Sequence, residues 1–537
     1  MVIEQYFWLI IATVALTIAT ILHRKAHYHW ALLVLTLAGG CVYVFAARLC
    51  PYLSPWDEQF HALVAKSCMS HPLTPTLYDE AIVEGHDYTS WIGAHVWLHK
   101  QPLFLWQIAL CFKLFGVSEF TLRLSSVIQC TLLIPIVYQI AKRLTQNINT
   151  AFLAGVATAC SWFLIRLTTG LENTDHNDVC FVFYVTASLW AFVEYLHHER
   201  EKWAWVLLIG LFSGAAVLTK WLAGFLVFLC WGLYLLAEHR FAFRQWKVSH
   251  LLAAVGITLA IVLPWQLYIL SQFPDLAQQE LFYNFKHINN AVESHQGSFW
   301  YPLIVLPLQY FGHGYRCQTA TFEWNLHAII CYIVLGFGYF RLLKGLRKNS
   351  LRWMVVGTTL FVLVFFGLAG TKMPAFTFIL CSFGFLSIAC ALTWAIEGIA
   401  RLIRNPHLQQ GVVLLCVVVA AYYQLNYPHY FQGVYKDSQH HTIDNKLTFL
   451  SWRDKLPEGC YVFNVNGYDG IHLNWAIATF GTFYSERQCY YDLPALEHLY
   501  KLQRRGIPVA IIHNEYLPPQ YASDTLLIHI HDELWGY

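Results

Sequence analysis

The sequence predicts an all-α polytopic membrane protein with about twelve transmembrane helices and a small soluble α/β domain at its C-terminal end. Three observations support this fold class. The chain of 537 residues is 57% hydrophobic and only 12% charged, whereas soluble domains carry about 25% charged residues. Apolar windows long enough to cross a bilayer, about 20 residues, recur as far as residue 425. From Asn426 onward, charges, prolines and glycines return.

The predicted spans are apolar windows bounded by polar or basic residues. They lie at about 5–22, 30–48, 119–140, 148–168, 178–197, 203–219, 221–238, 249–270, 324–343, 351–369, 375–397 and 411–425. Two further apolar pieces, 102–115 and 299–312, are too short to cross and are predicted to lie in the interface or dip into it. The first window has no basic residue before it and no small-residue cleavage site after it. It therefore indicates a retained span and not a signal peptide.

Basic residues gather in alternate loops, and this pattern sets the predicted orientation. The basic loops lie at 24–25, 142–143, 200–202, 240–247, 341–352 and 401–404. The positive-inside rule places them in the cytoplasm. The opposite, extracytoplasmic face then holds the first outer loop (residues 49–102), the turn at 170–178, the loop at 271–300 and the C-terminal domain (426–537).

The first outer loop concentrates acidic residues between two long apolar runs. Carboxylates are costly in hydrocarbon, so the loop is extramembrane. A loop of about fifty residues is usually either functional or disordered. Its aromatic residues, which include Trp56, Phe60, Trp91 and Trp97, argue against disorder. We therefore look for chemistry in this loop.

Three carboxylates are candidate catalytic residues. Asp57 and Glu58 open a predicted amphipathic helix, where an outer-face carboxylate can take a proton from an incoming hydroxyl or amine. The alternative is a local one, because Ser54 and Asp57 fit a capping box and acids are favoured in the first turn of a helix. Asp175, in the acidic cluster at 170–178, begins the next span. It is either a further site carboxylate or a cap of that span.

Three lysines lie on the outer face, against the orientation rule. Lys100 ends the first outer loop, Lys220 lies in the turn LTKWLAG, and Lys372 lies in the turn GTKMP. A lysine serves a phosphate group well as a point charge, and the alternative is that each side chain snorkels to the lipid headgroups. We expect the three lysines to converge on one phosphate.

No metal or nucleotide motif accompanies these residues, and no cofactor is firmly implied. The sequence has no CxxC, no His/Cys metal spacing and no GxxxxGK[ST] loop. A divalent metal remains open, with His287 as the weak candidate ligand and a solvated loop histidine as the alternative. The net charge of +2 and the lack of a basic run interleaved with aromatic residues set nucleic acid aside as a partner.

The C-terminal residues predict a small α/β unit. Residues 460–465, 507–513 and 525–530 have the length and β-branched content of strands. Residues 492–506 predict a helix with Asp492 as N-cap and Gly506 as its stop. Cys460 and Cys489 can pair in an oxidising compartment, and their spacing alone does not decide this.

Several motifs resemble those of a known enzyme family. The run HKQPLFLWQIALCFKLFGVSEFTLRLSS (99–126) resembles the lysine-proline-proline-leucine signature of bacterial membrane glycosyltransferases, with its following glycine-x-serine-x-x-x-x-arginine. Further elements follow in the family's order: WDE (56–58), NTD (173–175), LTK (218–220), PW (264–265), HQGSFWYP (295–302) and TKMPAFTFIL (371–380). The resemblance covers roughly residues 50–395. It is to the relatives of the lipid A aminoarabinose transferase and of the dolichyl-phosphate-mannose protein mannosyltransferases, which share the C-type glycosyltransferase (GT-C) fold.

This resemblance implies an integral enzyme of the bacterial inner membrane. It would transfer a sugar from a polyprenyl-phosphate donor to a lipid A, protein or glycan acceptor on the extracytoplasmic face, with membrane lipids around it. WDE looks like the family's acidic pair, and NTD like its threonine-aspartate turn. The chain departs from the family pattern at Gln101 (usually the first proline), at Trp221 (usually glycine) and in KHINNA (286–291), which lacks an arginine often found there.

Two alternatives belong to other functional classes. A transporter would place charges and broken helices at the bilayer midplane, whereas here the ionisable residues collect at loop edges and no internal repeat is present. The other alternative is a membrane-anchored envelope assembly or binding protein that acts through residues 426–537.

Overall fold

The computed structural model describes residues 2–54, 56–79, 82–170, 175–239, 247–312, 326–403, 405, 407–409, 411–412, 414–415, 442–466, 474–514 and 517–531. The helices up to residue 239 are α1 (Val2–Arg24), α2 (Tyr28–Ala47), α3 (Asp57–Cys68), α4 (Leu103–Phe115), α5 (Glu119–Thr145), α6 (Ile148–Ala159), α7 (Trp162–Thr168), α8 (Asp175–His197), α9 (Lys202–Lys220) and α10 (Leu226–His239). A 3-10 segment, Trp221–Phe225, joins the last two.

The following helices are α11 (Val248–Gln272), α12 (Pro274–Asn289), α13 (Tyr301–Ile304), α14 (Leu306–Phe311), α15 (Leu326–Gly345), α16 (Asn349–Leu368) and α17 (Cys381–Leu402). Short 3-10 segments cover Val292–Ser294 and Phe376–Leu380. After a helical stretch at 442–455 come β1 (Tyr461–Phe463), α18 (Asn474–Ser485), β2 (Gln488–Cys489), α19 (Leu496–Arg504), β3 (Val509–Ile512), α20 (Pro519–Ala522) and β4 (Ile528–Ile530).

Ten helical stretches within the described residues are long and apolar enough to cross a membrane, which confirms the predicted class. One of them, Lys202–His239, is 38 residues long and contains two of the predicted windows. The predicted window at 411–425 lies almost entirely outside the described residues. The two short apolar pieces are helical as Leu103–Phe115 and Tyr301–Phe311.

The chain forms two compact units. The first contains Met1–Ala47, Ser125–Thr168 and His176–Tyr427, with α1 packed on α2, α9 on α11, α10 on α16 and α15 on α17. Small residues allow close helix contact here: a Cβ at Gly210 would lie 2.6 Å from Ile257 Cβ, and one at Gly214 would lie 2.9 Å from Ile261 Cβ. Two glycines four residues apart bring helix backbones together in membranes.

The second unit contains Arg48–Leu124, Thr169–Asp175 and Pro428–Tyr537. Its sheet has the order β2-β1-β3-β4, and every pairing is parallel. Burial on both faces suits the continuous apolar run of β3. The three predicted strands are present, and the helix predicted at 492–506 is present as the shorter α19, whereas β2 and α18 were not predicted.

The first outer loop and the C-terminal residues belong to this same unit. Lys446 Nζ lies 2.5 Å from Glu119 Oε1 and donates to the carbonyl of Pro51 at 2.6 Å. The Tyr484 hydroxyl donates to Glu119 Oε1 at 2.6 Å. The predicted domain division, residues 1–425 and 426–537, stays a prediction, because residues 416–441 lie outside the described residues.

The structure corrects one local expectation and adds detail to two others. Asp492 does not cap a helix, because α19 begins at Leu496 and the Asp492 carboxylate instead lies 2.9 Å from His86 Nδ1. The outer loop 271–300 contains the helix α12, which begins at Pro274, a residue suited to the first helical position. Cys460 and Cys489 are both buried free thiols.

Candidate functional site

The helix α3 begins at Asp57, and the backbone at its start is strained. Trp56 immediately before it has φ 80° and ψ −132°, a conformation that costs a residue other than glycine about 1–3 kcal/mol. The capping box expected from Ser54 and Asp57 is not formed. Trp56 is the N-cap residue and provides no side-chain cap, while Ser54 Oγ has no hydrogen-bond partner in the described part of the chain.

Glu58 forms a buried ion pair with Arg123. Arg123 Nε lies 2.7 Å from Oε1 and Nη2 lies 2.9 Å from Oε2. The guanidinium also donates to the carbonyls of Cys50 and Tyr52, at 2.7 Å and 2.9 Å. The Ser54 N–H donates to Glu58 Oε2 at 2.5 Å. Both charged side chains are fully buried, so each neutralises the other, and both oxygens of Glu58 are occupied.

Gly170 allows the chain to pass directly against this carboxylate. Its φ is +76°, and a Cβ at this position would lie 2.5 Å from Glu58 Cδ. Only glycine combines a left-handed backbone with such a close approach. The backbone at Gly170, two residues after the end of α7, therefore packs directly against the Glu58 carboxylate.

Asp57 is 4% exposed and lies near a histidine that stays uncharged. Burial lowers the pKa of His99 well below its ordinary value, and the charge of Lys100 lowers it further. The Asp57 charge acts in the opposite direction but does not offset these effects. Trp91 stacks on the His99 ring at 4.8 Å. At neutral pH, Asp57 therefore has a neutral imidazole in its surroundings and not an imidazolium.

Asp175 pairs with a histidine of α3. Asp175 Oδ1 lies 2.9 Å from His61 Nδ1, and both side chains are buried. Asp175 is the first residue of α8 and has φ +21°. A cap of α8, which was the alternative for this residue, does not explain the contact with His61.

Lys100 ends the first outer loop and is half-buried. It forms no hydrogen bond or ion pair with the residues that the structure describes.

Lys220 and Lys372 have protein partners in the first unit. Lys220 Nζ lies 2.5 Å from Asp178 Oδ1 and 5.0 Å from the centre of the Phe376 ring. Lys372 Nζ donates to the carbonyls of Phe366 at 2.9 Å and Gly367 at 2.7 Å, and also to that of Ala369. These carbonyls end α16, where cations are favoured. Burial lowers the pKa of Lys372.

His287 was the candidate metal ligand. Its Nδ1 lies 3.0 Å from the Thr371 hydroxyl, and its carbonyl accepts from the Thr371 N–H at 3.0 Å. Within the described ranges, no group of three or more His, Cys, Asp or Glu side chains is placed to hold a metal ion. A metal at His287 stays a prediction.

Four residues of this cluster were not singled out from the sequence: Arg123, His61, His99 and Gly170. Arg123 had a signal, because it is the last residue of the glycine-x-serine-x-x-x-x-arginine element. His61 follows Asp57 by four residues, so that the two share a helix face. Gln59 is also fully buried, and neither of its amide atoms has a hydrogen-bond partner among the described residues.

Comparison with known proteins identifies similar chains. The dolichyl-phosphate-mannose-protein mannosyltransferase family matches residues 99–268. The undecaprenyl phosphate-alpha-4-amino-4-deoxy-L-arabinose arabinosyl transferase 1 of Pseudomonas fluorescens is 26% identical over 442 residues, which cover 79% of this chain and 70% of that protein.

Two solved structures share the fold. ArnT from Cupriavidus metallidurans, bound to undecaprenyl phosphate, matches with a TM-score of 0.60 and 16% identity over 89% of each chain. The oligosaccharyltransferase AglB from Archaeoglobus fulgidus, in complex with an inhibitory peptide and a dolichol-phosphate, matches with a TM-score of 0.54 and 13% identity. That match covers 85% of this chain and 64% of AglB. The predicted GT-C fold is confirmed.

Proposed function

We propose that this chain is a multi-pass glycosyltransferase of the inner membrane, which transfers a sugar from a polyprenyl-phosphate donor to an acceptor. The similarity to arabinosyl transferases in sequence and to ArnT in fold supports this class. Neither a transporter nor an assembly protein is favoured by these relatives. The orientation, with the catalytic loop on the extracytoplasmic face, rests on the distribution of basic residues.

The reaction is a single displacement. A hydroxyl oxygen or amine nitrogen of the acceptor attacks the anomeric carbon, and the bond from that carbon to the phosphate oxygen breaks. The polyprenyl phosphate leaves with the electron pair, and the acceptor's proton passes to a carboxylate. A general base of this kind contributes about 10²- to 10⁴-fold.

One observation carries the choice of Asp57 as this base. Glu58, its neighbour, has both oxygens bound by the buried Arg123 guanidinium. Protonating Glu58 would leave the buried Arg123 guanidinium without its counter-charge, and breaking such an ion pair costs about 3–5 kcal/mol. Asp57 is therefore the proton acceptor, and Glu58 fixes the start of α3. Asp175 is the further carboxylate of the site.

Lys100, Lys220 and Lys372 are the proposed cations for the donor phosphate. A charge matched to the transition state is a large effect, since losing one such contact commonly costs about 2.7–4 kcal/mol. For the donor lipid we propose undecaprenyl phosphate, because the relatives carry it in their names. The acceptor belongs to the classes lipid A, protein and glycan.

The test is mass spectrometry of the envelope lipids and glycans of a deletion strain. We expect one sugar-bearing species to disappear and to return when the wild-type gene is supplied. The Asp57→Asn variant should fail to restore it while keeping membrane insertion and thermal stability. Asp454→Asn, at an exposed position of the second unit, is the matched control and should restore it. Restoration by Asp57→Asn would overturn the assignment of the base, and an unchanged envelope in the deletion strain would contradict the function.

A further inference from the structure

His61 lies four residues after Asp57 on α3, so that the two side chains leave the same face of the helix. It is fully buried. Aromatic side chains surround its ring. The ring centre of Phe104 lies 4.8 Å from that of His61, and the ring centre of Trp97 lies 6.0 Å from it. Apolar surroundings of this kind suit a phenylalanine at least as well as a histidine.

The hydrogen bond to Asp175 indicates which ring nitrogen of His61 carries a proton. His61 Nδ1 lies 2.9 Å from Asp175 Oδ1, and an ionised carboxylate only accepts hydrogen bonds. The proton is therefore on Nδ1. The other ring nitrogen, Nε2, is buried and has no hydrogen-bond partner among the described residues. Buried polar atoms are rarely left unpaired, so each such case calls for an explanation.

The contact with Asp175 supplies that explanation. Asp57 and His61 are fixed to one rigid turn of α3, and His61 holds Asp175, which begins α8. The Nδ1–H bond thus sets the position of Asp175 relative to the helix that carries Asp57. No contact made by Nε2 is needed for this role.

We propose that His61 is a positioning residue for sugar transfer that acts through Asp175, by means of its Nδ1–H donor. The proposal rests on the proposed glycosyltransferase function. A misplacement of about 1 Å in a catalytic group can lower a rate about 10²-fold. Loss of this N–H group should therefore lower kcat. The KM for the lipid-linked sugar should stay nearly unchanged.

Two substitutions at His61 separate the ring nitrogens. His61→Phe keeps the ring volume and removes the donor. His61→Asn places an amide N–H close to the position of Nδ1 and removes Nε2 altogether. We expect His61→Phe to lower kcat about 10²-fold. Its KM for the lipid-linked sugar should stay within about twofold of the wild-type value. His61→Asn should recover most of the lost kcat.

A double-mutant comparison then tests whether His61 acts through Asp175. Residues that act as one unit are not additive, so His61→Phe combined with Asp175→Asn should be no slower than Asp175→Asn alone. Multiplied losses would overturn the proposal. His61→Asn as slow as His61→Phe would also overturn it, because Nε2 would then be the working atom.

The assay uses the purified full chain in nanodiscs with the deletion strain's accumulated lipid-linked sugar as donor. His71→Phe, at an exposed histidine of the same unit, is the control and should match the wild type. Thermal unfolding of each variant checks that it is folded. If His61→Phe folds poorly, His61→Asn and Asp175→Asn test the role of the Nδ1–H group instead. A wild-type protein without transfer would contradict the proposed function, whereas an active wild type with a fully active His61→Phe would contradict only the role of His61.

Discussion

The Arg123 guanidinium binds both oxygens of the Glu58 carboxylate, with Nε 2.7 Å from Oε1 and Nη2 2.9 Å from Oε2. The two residues are 65 positions apart in the chain. Arg123 Nη1 and Nη2 also donate to the carbonyls of Cys50 and Tyr52. One guanidinium therefore binds both the beginning of the first outer loop and the first turn of α3. A planar fork of donors suits this arrangement, which lysine cannot reproduce.

Replacing Arg123 by methionine should therefore destabilise the protein strongly. The substitution leaves the buried Glu58 carboxylate without its counter-charge, and breaking a buried ion pair in this way costs about 3–5 kcal/mol. Denaturant or thermal unfolding of the detergent-solubilised chain measures the effect. The control is Lys501→Met, which removes an exposed pair with Glu497 and should cost no more than about 1 kcal/mol. Equal losses of stability in the two variants would contradict the claim that the Arg123–Glu58 ion pair stabilises the fold.

Gly170→Ala should disturb the same carboxylate from the other side. The added Cβ would lie 2.5 Å from Glu58 Cδ, and φ at this position is +76°. Gly459→Ala is the matched control, because φ there is +70° and a Cβ would meet nothing within 4 Å. The left-handed backbone alone costs about 1–2 kcal/mol, so Gly459→Ala should lose that much stability. Gly170→Ala should lose more, and also most transfer activity. A Gly170→Ala variant no less stable than Gly459→Ala would refute the close approach.

The sequence predicted those features of the fold that depend on neighbouring residues. Hydropathy windows located the spans, because a bilayer fixes the length of an apolar helix. Short β-branched runs located β1, β3 and β4. The missed strand β2 has only two residues, Gln488 and Cys489, which is too short to show a pattern.

The contacts of the candidate site could not be read in the same way. Glu58 with Arg123 and His61 with Asp175 are separated by 65 and 114 positions, and such pairings arise from the tertiary fold. Motif order indicated which carboxylates to examine. It did not indicate that Glu58 is bound by arginine while Asp57 is left as the candidate base.

Stability should fall as the pH falls below about 6.5, in part because of His99. Burial and the charge of Lys100 hold the pKa of the folded His99 well below 6.5, whereas the unfolded histidine titrates near 6.5. Between these values the unfolded state binds more protons, so this contribution to stability is full above pH 6.5 and is lost toward the folded pKa.

Melting temperatures between about pH 7.5 and pH 5.5 test the contribution of His99. The wild-type value should fall over this range, and the fall should be smaller for His99→Gln, which has no titrating ring. The exposed His71 provides the control, and His71→Gln should follow the wild type. A His99→Gln profile parallel to the wild type would contradict a lowered pKa of His99 in the folded protein.

Alanine substitutions at Lys100, Lys220 and Lys372 should differ in their effect on the melting temperature. Lys372 donates to carbonyls at the end of α16, and leaving such buried acceptors unpaired costs about 1–3 kcal/mol. Lys372→Ala should therefore lower the melting temperature, and Lys220→Ala should do so through the loss of the contact with Asp178. Lys100 has no partner among the described residues, so Lys100→Ala should leave the melting temperature unchanged.

Binding of undecaprenyl phosphate should fall in all three alanine variants if each lysine serves the donor phosphate. For Lys100→Ala we expect a loss of about 10- to 100-fold, since a hydrogen bond to a charged group contributes about 1.5–3 kcal/mol. Arginine at position 100 should restore only part of it, because the planar fork differs in reach from an ammonium group. The measurement is the affinity of each variant for the lipid in nanodiscs, with Lys113→Ala as control, because Lys113 is an exposed lysine on α4. If Lys100→Ala binds the lipid as Lys113→Ala does, Lys100 is a snorkelling side chain and the phosphate is held by other residues.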